Sequence, residues 1–438
     1  MCGMRDSGYR FIGAIPKEWQ TERLNSIADL YGRIGWQGLT SDEYTEEGAW
    51  LVTGTDFSEG KVNWESCVHI PERRWEEAWQ IKLRNGDLLI TKDGTIGKLA
   101  IVNELPGHAS LNSGIMRIVS RGNQYNVRFM YYVLMSNIFI EWFKDINVGA
   151  STIQHLFQGD FKHFVLPFPC IEEQTQIADA LDDLIEQIDN EGQLIEKQID
   201  VLKRYKKSVI HEVVTKGIHS NVPMKSSGVE WIGDVPEHWE TRRIKHVSQT
   251  GSGSTPDSSN YDYYDGELSW IQSGDLYGRT HINATERTIT SKAMAENQAL
   301  TIYPAPFVVV AMYGASIGNS ALSTIDACTN QACCSLIPGR QLDVHYLLYL
   351  LIDAKDDLKA KAIGGTQPNI SQVIIKNEKV PLPPLFEQQE IVDYLDEKCV
   401  KVDAILDIKS KQIEVLKKRR QSLIYEYVTG KRRIEIGV

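Results

Sequence analysis

Apolar positions in this chain follow two rhythms. Over residues 166–216 they keep helical spacing: Leu181, Ile188, Ile195, Leu202 and Val209 stand seven apart, with Ile177, Leu184, Ile199 and Val213 between them. A seven-residue repeat held for that length predicts a coiled-coil seam rather than a general amphipathic face. A second stretch, from residue 380 onward, repeats it with Leu395, Val402, Leu416 and Leu423, helped by Ile391, Ile405 and Ile413 and interrupted by Lys409. Each stretch follows a proline-broken segment (LPFPC, VPLPP) that cannot be helical. Each opens on acidic residues (Glu172 and Glu173; Glu387), which suit the positive end of a helix dipole. Each closes on a basic turn (Lys203, Arg204, Lys206, Lys207; Lys417, Lys418, Arg419, Arg420) followed by Gly217 or Gly430.

Reach sets the direction of the two helices. A helix over residues 171–215 is roughly 67 Å long at ~1.5 Å per residue. The link over residues 217–231 spans at most about 50 Å fully extended. Parallel helices would require that link to climb back along the whole first helix. An antiparallel pair requires no return, so the expectation is an antiparallel coiled coil.

The second rhythm is short: apolar β-type runs followed by glycine turns, and it occurs twice. GYRFIGAIPKEWQTERL at residues 8–24 matches GVEWIGDVPEHWETRRI at 228–244, sharing Ile12, Gly13, Pro16 and Trp19 with Ile232, Gly233, Pro236 and Trp239. Pro-x-x-Trp reads as a packed corner at a domain entrance. WLVTGTD at residues 50–56 answers WIQSGD at 270–275, and GDLLITKDGTIG at 86–97 answers FVVVAMYGASIG at 307–318. Leu111 and Asn112 answer Thr329 and Asn330, and helical runs follow at 127–142 and 344–359. Gly149 to Thr152 then answers Gly364 to Thr366 before the final strand. The expected fold is α+β: two similar mixed α/β domains separated by an antiparallel coiled coil, an internal pseudo-twofold duplication. The boundaries are residues 1–165 and 218–379 for the domains, 166–217 for the first long helix, and 380–438 for the second with its tail.

Composition narrows the class. With 438 residues, 42% hydrophobic and 24% charged, the chain has ample core for two or three domains. No apolar run approaches the ~20 residues that cross a bilayer, and the start MCGMRDSGYR lacks a signal-peptide core. Seven cysteines, odd in number and without a CxxC pair, read as reduced thiols in a cytoplasmic protein. A net charge of −11 disfavours nucleic-acid binding by the whole surface, while leaving room for a local basic face and for a partner that supplies positive charge.

Catalytic signatures fail one by one. The proline runs at residues 166–169 and 381–384 lack the Asn or Asp that an amino-methyltransferase tetrapeptide places before them. Gly251 to Thr255 runs into Pro256 rather than a helix, Gly94 to Lys98 falls short of a Walker A spacing, and Asp87 with Lys92 is one short nuclease-like match. Ten histidines form no metal-ligand cluster. No catalytic or metal site is expected. Binding candidates sit where the halves diverge, LYGRIGWQGLTSDEYTEEGA at 30–49 against QTGSGSTPDSSNYDYYDGEL at 249–268, and near the glycine turns. In the first half they are Arg33, Trp36, Gln37, Lys92 and Lys98; in the second, Ser252, Thr255, Gln272, Tyr277, Arg279, Tyr313 and Ser316. These types read bases and contact phosphates. Taken singly each is equally a solvated loop residue; their paired placement raises them as a group.

The whole pattern resembles the specificity (S) subunits of type I restriction-modification systems. The resemblance rests on the duplicated Ile-Gly-x-x-Pro-x-x-Trp entrances and the Gly-x-Ile-Gly turn at residues 94–97. Its partner is at 315–318, where Ala315 replaces a glycine and Gly314 substitutes for it. The segments ending at Thr152 and Thr366, and Glu-Glu-Gln174 and Phe-Glu-Gln388 before the long helices, complete it. RIGWQGLT at residues 33–40 is also similar to one common class of target-recognition domain. The resemblance implies a non-catalytic reader of double-stranded DNA, each domain reading one half of a split, asymmetric site and the helices setting the gap. It implies two modification subunits docked on the helices, bringing S-adenosylmethionine, and restriction subunits bringing ATP and Mg. The alternatives are a coiled-coil adaptor that binds no DNA and a self-sufficient methyltransferase.

Overall fold

The computed structural model describes residues 3–33, 39–77, 79–147, 154–364 and 368–434. The chain forms two compact units, residues 1–196 with 411–438, and residues 197–410. Each long helix therefore gives one half to each unit, a division that cuts across domain boundaries drawn at the helix ends.

In the first unit a six-stranded sheet runs in the order Ala28–Gly32, Ile115–Ser120, Leu88–Thr91, Leu99–Ile101, Lys61–Val62, Phe57–Ser58 among the described residues. Its central strand, Leu88–Thr91, is buried along its whole length, as an apolar run covered on both faces should be. A second sheet sets Ala49–Val52 between Ala109–Leu111, its parallel neighbour, and Val68–Ile70, its antiparallel one. The second unit repeats the plan. Ser248–Ser252, Cys333–Pro338, Phe307–Ala311, Ser320–Ser323 and His281–Ile282 form the larger sheet, and Tyr264–Ile271 lies between Thr288–Ile289 and Cys328–Thr329 in the smaller. The registers correspond: Met116 faces Gly32 as Cys334 faces Ser252.

Each unit then delivers its chain into a long helix in the same way. Val165–Phe168 pairs antiparallel with Gln20–Arg23, and Lys379–Leu382 with Glu240–Arg243, on two-stranded ribbons where a proline costs little. The helices are Ile171–Lys216 and Leu385–Val428. Gln174 and Gln388, both fully buried, tie the helix starts to their units. Gln174 accepts from Asn126 N at 2.8 Å and donates to Pro169 O at 3.0 Å; Gln388 accepts from Asp343 N at 2.7 Å and donates to Gln341 O and Pro383 O at 2.9 and 2.8 Å. Every polar atom of each amide is thus engaged, which is what a buried amide requires.

The helices run antiparallel within each unit. In the first, Glu173 and Ile177 lie beside Gly430 and Arg432, while further along Asp189 meets Arg420 at 3.3 Å. In the second, Lys206 pairs with Asp403 at 2.7 Å, and Ile210, Val213 and Val214 share a core with Ile391, Leu395 and Cys399. Leu181, Ile188, Ile195, Leu395, Val402, Leu416 and Leu423 are buried, and Leu202 and Val209 are half-buried. Ile405, expected to help the seam, is instead 42% exposed. It falls three residues after the buried Val402, whereas the buried partner on that side comes four residues later in the stretch 391–399, so it turns outward.

Candidate nucleic-acid interface

The loops that join the central strands to their neighbours gather at one end of each sheet, and the two units hold them with the same hydrogen bonds. After Leu88–Thr91 the first unit turns through Gly94 (φ +68°) and Gly97 (φ +82°), and Gly97 N donates to Thr91 O at 3.0 Å. After Phe307–Ala311 the second turns through Gly314 (φ +67°) and Gly318 (φ +74°), and Gly318 N donates to Ala311 O at 2.9 Å. Left-handed backbone here suits glycine, and Gly314 supplies it in the second unit as Gly94 does in the first.

Three further tethers repeat. A buried carboxylate folds back on the preceding loop: Asp56 Oδ2 accepts from Thr53 N at 2.7 Å, and Asp275 Oδ2 from Gln272 N at 2.8 Å. Asn112 N donates to Val52 O at 2.9 Å, and Asn330 N to Ile271 O at 3.0 Å. The first residue after each central strand is clamped on both sides. Lys92 N donates to Gly114 O at 2.8 Å and Lys92 O accepts from Leu156 N at 3.0 Å; Met312 N donates to Ala332 O at 2.8 Å and Met312 O accepts from Ile370 N at 2.9 Å. The frame is duplicated, while the side chains it displays are not.

On this frame the sequence candidates separate. In the second unit, the turn Ser273–Leu276, flanked by Gln272 and Tyr277, packs on the turn Gly314–Ser316, which Tyr313 precedes. Tyr277 is 75% and Tyr313 46% exposed; Gln272 and Ser316 are half-buried. Thr255 Oγ1 donates to Gln331 Oε1 at 2.5 Å, beside the Asn330 tether. Ser252 is exposed at the end of its strand, and Arg279, also exposed, lies 3.6 Å from Glu286. In the first unit, Lys92 is half-buried within the clamp. Lys98 is exposed but lines a cleft of about 1140 Å³ with Lys61, Asp182, Asp189, Lys417 and Arg420, beside the long helices. Trp36 and Gln37 lie outside the described residues, as do Thr152 and Thr366.

Arg33 is a correction. Its side chain is buried, Nε donating to Leu111 O at 2.9 Å and Nη2 to Ser110 Oγ at 3.2 Å. Burial first, and then the neighbouring Arg74, pulls its pKa down to about 10. A guanidinium spent on backbone and hydroxyl acceptors inside the fold is placed as a structural tether rather than as an exposed reader.

The sequence reading missed residues that stand on the clamp itself. In the first unit His155 Nδ1 lies 2.7 Å from Asp93 Oδ1, with the exposed ring of Phe157 at 5.8 Å from the imidazole. In the second, Tyr313 and Asn369 bridge their backbones at the corresponding place. The signal lay in the register after the glycine-threonine segments, which places residues 154–157 against 368–371. Among the described residues, no cluster of three or more His, Cys, Asp or Glu side chains could hold a metal ion, and no helix is long and apolar enough to cross a membrane.

Residues 16–199 and 236–418 both match the family described as type I restriction modification DNA specificity domain. The chain belongs to that family. Among curated members, it is 26% identical over 435 residues to the type I restriction enzyme MjaVIII specificity subunit of Methanocaldococcus jannaschii, covering 96% of this chain and 94% of that one. It is 23% identical over 412 residues to the EcoBI specificity subunit of Escherichia coli, covering 90% and 81%. The fold is shared with a chain solved in a study of assembly and conformational transition of the type I R-M system, at a TM-score of 0.75 and 19% identity over 95% of this chain and 99% of that one. It is also shared with the HsdS subunit of Thermoanaerobacter tengcongensis, at 0.51 and 19% over 95% and 98%. The two family matches fall on the two copies of the duplicated unit.

Proposed function

We propose that this chain is the DNA-reading specificity subunit of a type I restriction-modification complex and is itself non-catalytic. Its two domains each read one half of a split, asymmetric site in double-stranded DNA. The observation that carries this is the loop frame built twice with the same tethers and different exposed side chains, on a chain whose two halves both belong to the specificity-domain family. A duplicated frame gives two readers of the same geometry; different side chains give them different half-sites.

The gap between the half-sites is set by the long helices. Two modification subunits dock on these helices and bring S-adenosylmethionine and adenine methylation; restriction subunits bring ATP, Mg, translocation and cleavage. Exposed apolar side chains on the helices support docking: Leu194 and Val415 in the first unit, Val201, Tyr205, Ile405 and Ile408 in the second. The complex works in the cytoplasm, where its DNA is. In the first half, Lys92, Lys98, Trp36 and Gln37 remain assigned to DNA, Lys98 as a phosphate contact. In the second, Ser252, Thr255, Gln272, Tyr277, Arg279, Tyr313 and Ser316 are so assigned.

The test is binding of duplex DNA by the chain co-purified with its methyltransferase partner, over a salt series. The reading expects site-selective binding whose affinity falls steeply with salt. Binding to the partner protein with no DNA affinity at any salt would favour the adaptor reading instead.

A further inference from the structure

We propose that Asp93 with His155 in the first domain, and Tyr313 with Asn369 in the second, are the side chains through which the two domains prefer different bases. This rests on the DNA-reading function above and names the residues responsible within it.

The two pairs occupy one place in the duplicated fold. Asp93 and Tyr313 each follow the clamped residue, Lys92 or Met312; His155 and Asn369 each precede the residue that clamps it, Leu156 or Ile370. The match continues past them, since Gln158 Nε2 donates to Leu30 O at 2.8 Å and Gln372 Nε2 to Thr250 Oγ1 at 3.1 Å, on equivalent strand positions. The backbone beneath both pairs is therefore preset by the same hydrogen bonds, and only the side chains differ.

They also differ in what they offer. The Asp93 and His155 side chains are 43% and 44% exposed, so neither is needed to fill a core. Asp93 holds Nδ1 of the imidazole and acts as its positioning residue, which leaves Nε2 as the ring atom able to meet a base edge. In the second domain, Asn369 is half-buried, and among the described residues its side-chain amide makes no hydrogen bond; only its backbone is engaged, with Ile363. A planar amide pairs a donor with an acceptor in the pattern of the adenine major-groove edge. An imidazole held by a carboxylate presents a single point and cannot match that pattern. Tyr313, 46% exposed, adds a hydroxyl where the first domain has a carboxylate.

The experiment uses the full chain assembled with its methyltransferase partner and a duplex library randomised through both half-sites, read by sequencing methylated adenines. Asp93→Tyr combined with His155→Asn is expected to change the base preference at one position of the first domain's half-site by about tenfold, toward adenine. The other half-site and the gap should stay unchanged. Asn369→Asp should lose a preference of similar size at one position of the second domain's half-site only. If the variants keep every base preference and merely methylate all sites more slowly, the pairs are structural staples and the inference is wrong. A wild-type complex with no site preference would overturn the DNA reading, and this inference with it.

Discussion

Trp239 Nε1 donates to Glu387 Oε2 at 2.8 Å, joining the entrance corner of the second unit to the first turn of the second long helix. Trp19 and Glu173 make the same bond, also at 2.8 Å, in the first unit. The repeated Pro-x-x-Trp corner is thus a clip that fixes where each helix leaves its unit. The copies differ in depth: Glu387 is buried and also receives His238 Nε2 at 2.7 Å, whereas Glu173 is half-buried. Trp239→Phe, which removes the donor together with part of a fully buried ring system, should cost at least the ~1–3 kcal/mol of a hydrogen bond lost to a buried charged group, with a cavity term added. Trp19→Phe should cost less, because water can reach the half-buried Glu173 carboxylate and replace the lost hydrogen bond. Thermal denaturation of the two variants checks the order; equal losses would contradict it.

A second prediction concerns Gly253. A Cβ there would lie 1.5 Å from Thr329 O, a backbone atom that cannot swing aside. Gly253→Ala should therefore destabilise the second unit by ~1–3 kcal/mol or more through forced backbone movement. Gly274→Ala, where an added Cβ meets nothing within 4 Å, is the control and should leave the denaturation midpoint nearly unchanged.

The seam supplies a third. Ile188 is buried and lines the cleft of the first unit with Ile413 and Leu416. Truncation to alanine should cost ~2–5 kcal/mol. Ile188→Asp should cost more, by burying an unpaired charge, and should abolish assembly with the modification subunits. A soluble Ile188→Asp variant that still co-purifies with its partner in full yield would contradict this.

The parts of the fold that were legible in the sequence are those with local causes. The long helices follow from a seven-residue repeat and their punctuation, and the entrance corners from a motif present twice. Long-range contacts were hidden. Arg33 has the residue type of a base reader, and only the carbonyl of Leu111, far along the chain, shows that it is spent inside. Asp93 and His155 are 62 residues apart and were passed over for the same reason. Ile405 was misjudged because buried positions step by four from Ile391 through Leu395 to Cys399, so a heptad count from Ile391 lands one residue short of the half-buried Leu406.

Helix length gives a fourth prediction. Four residues inserted between Gln193 and Leu194 would lengthen the first long helix by roughly 6 Å and turn its faces by only about 40°, a stutter that a coiled coil absorbs by local unwinding. With B-DNA rising ~3.4 Å per base pair, the methylated site should keep both half-sites while its gap grows by about one or two base pairs. An unchanged gap would show that the helices do not set it.

The most direct measurement is a domain exchange. Residues 218–379 are replaced by the corresponding segment of another family member, and methylated adenines are sequenced genome-wide in cells carrying the modification subunit with either chain. Two independent readers on one chain predict that a single half-site changes while the other half-site stays as it was. If both half-sites changed together, or neither did, the two-reader account would be contradicted.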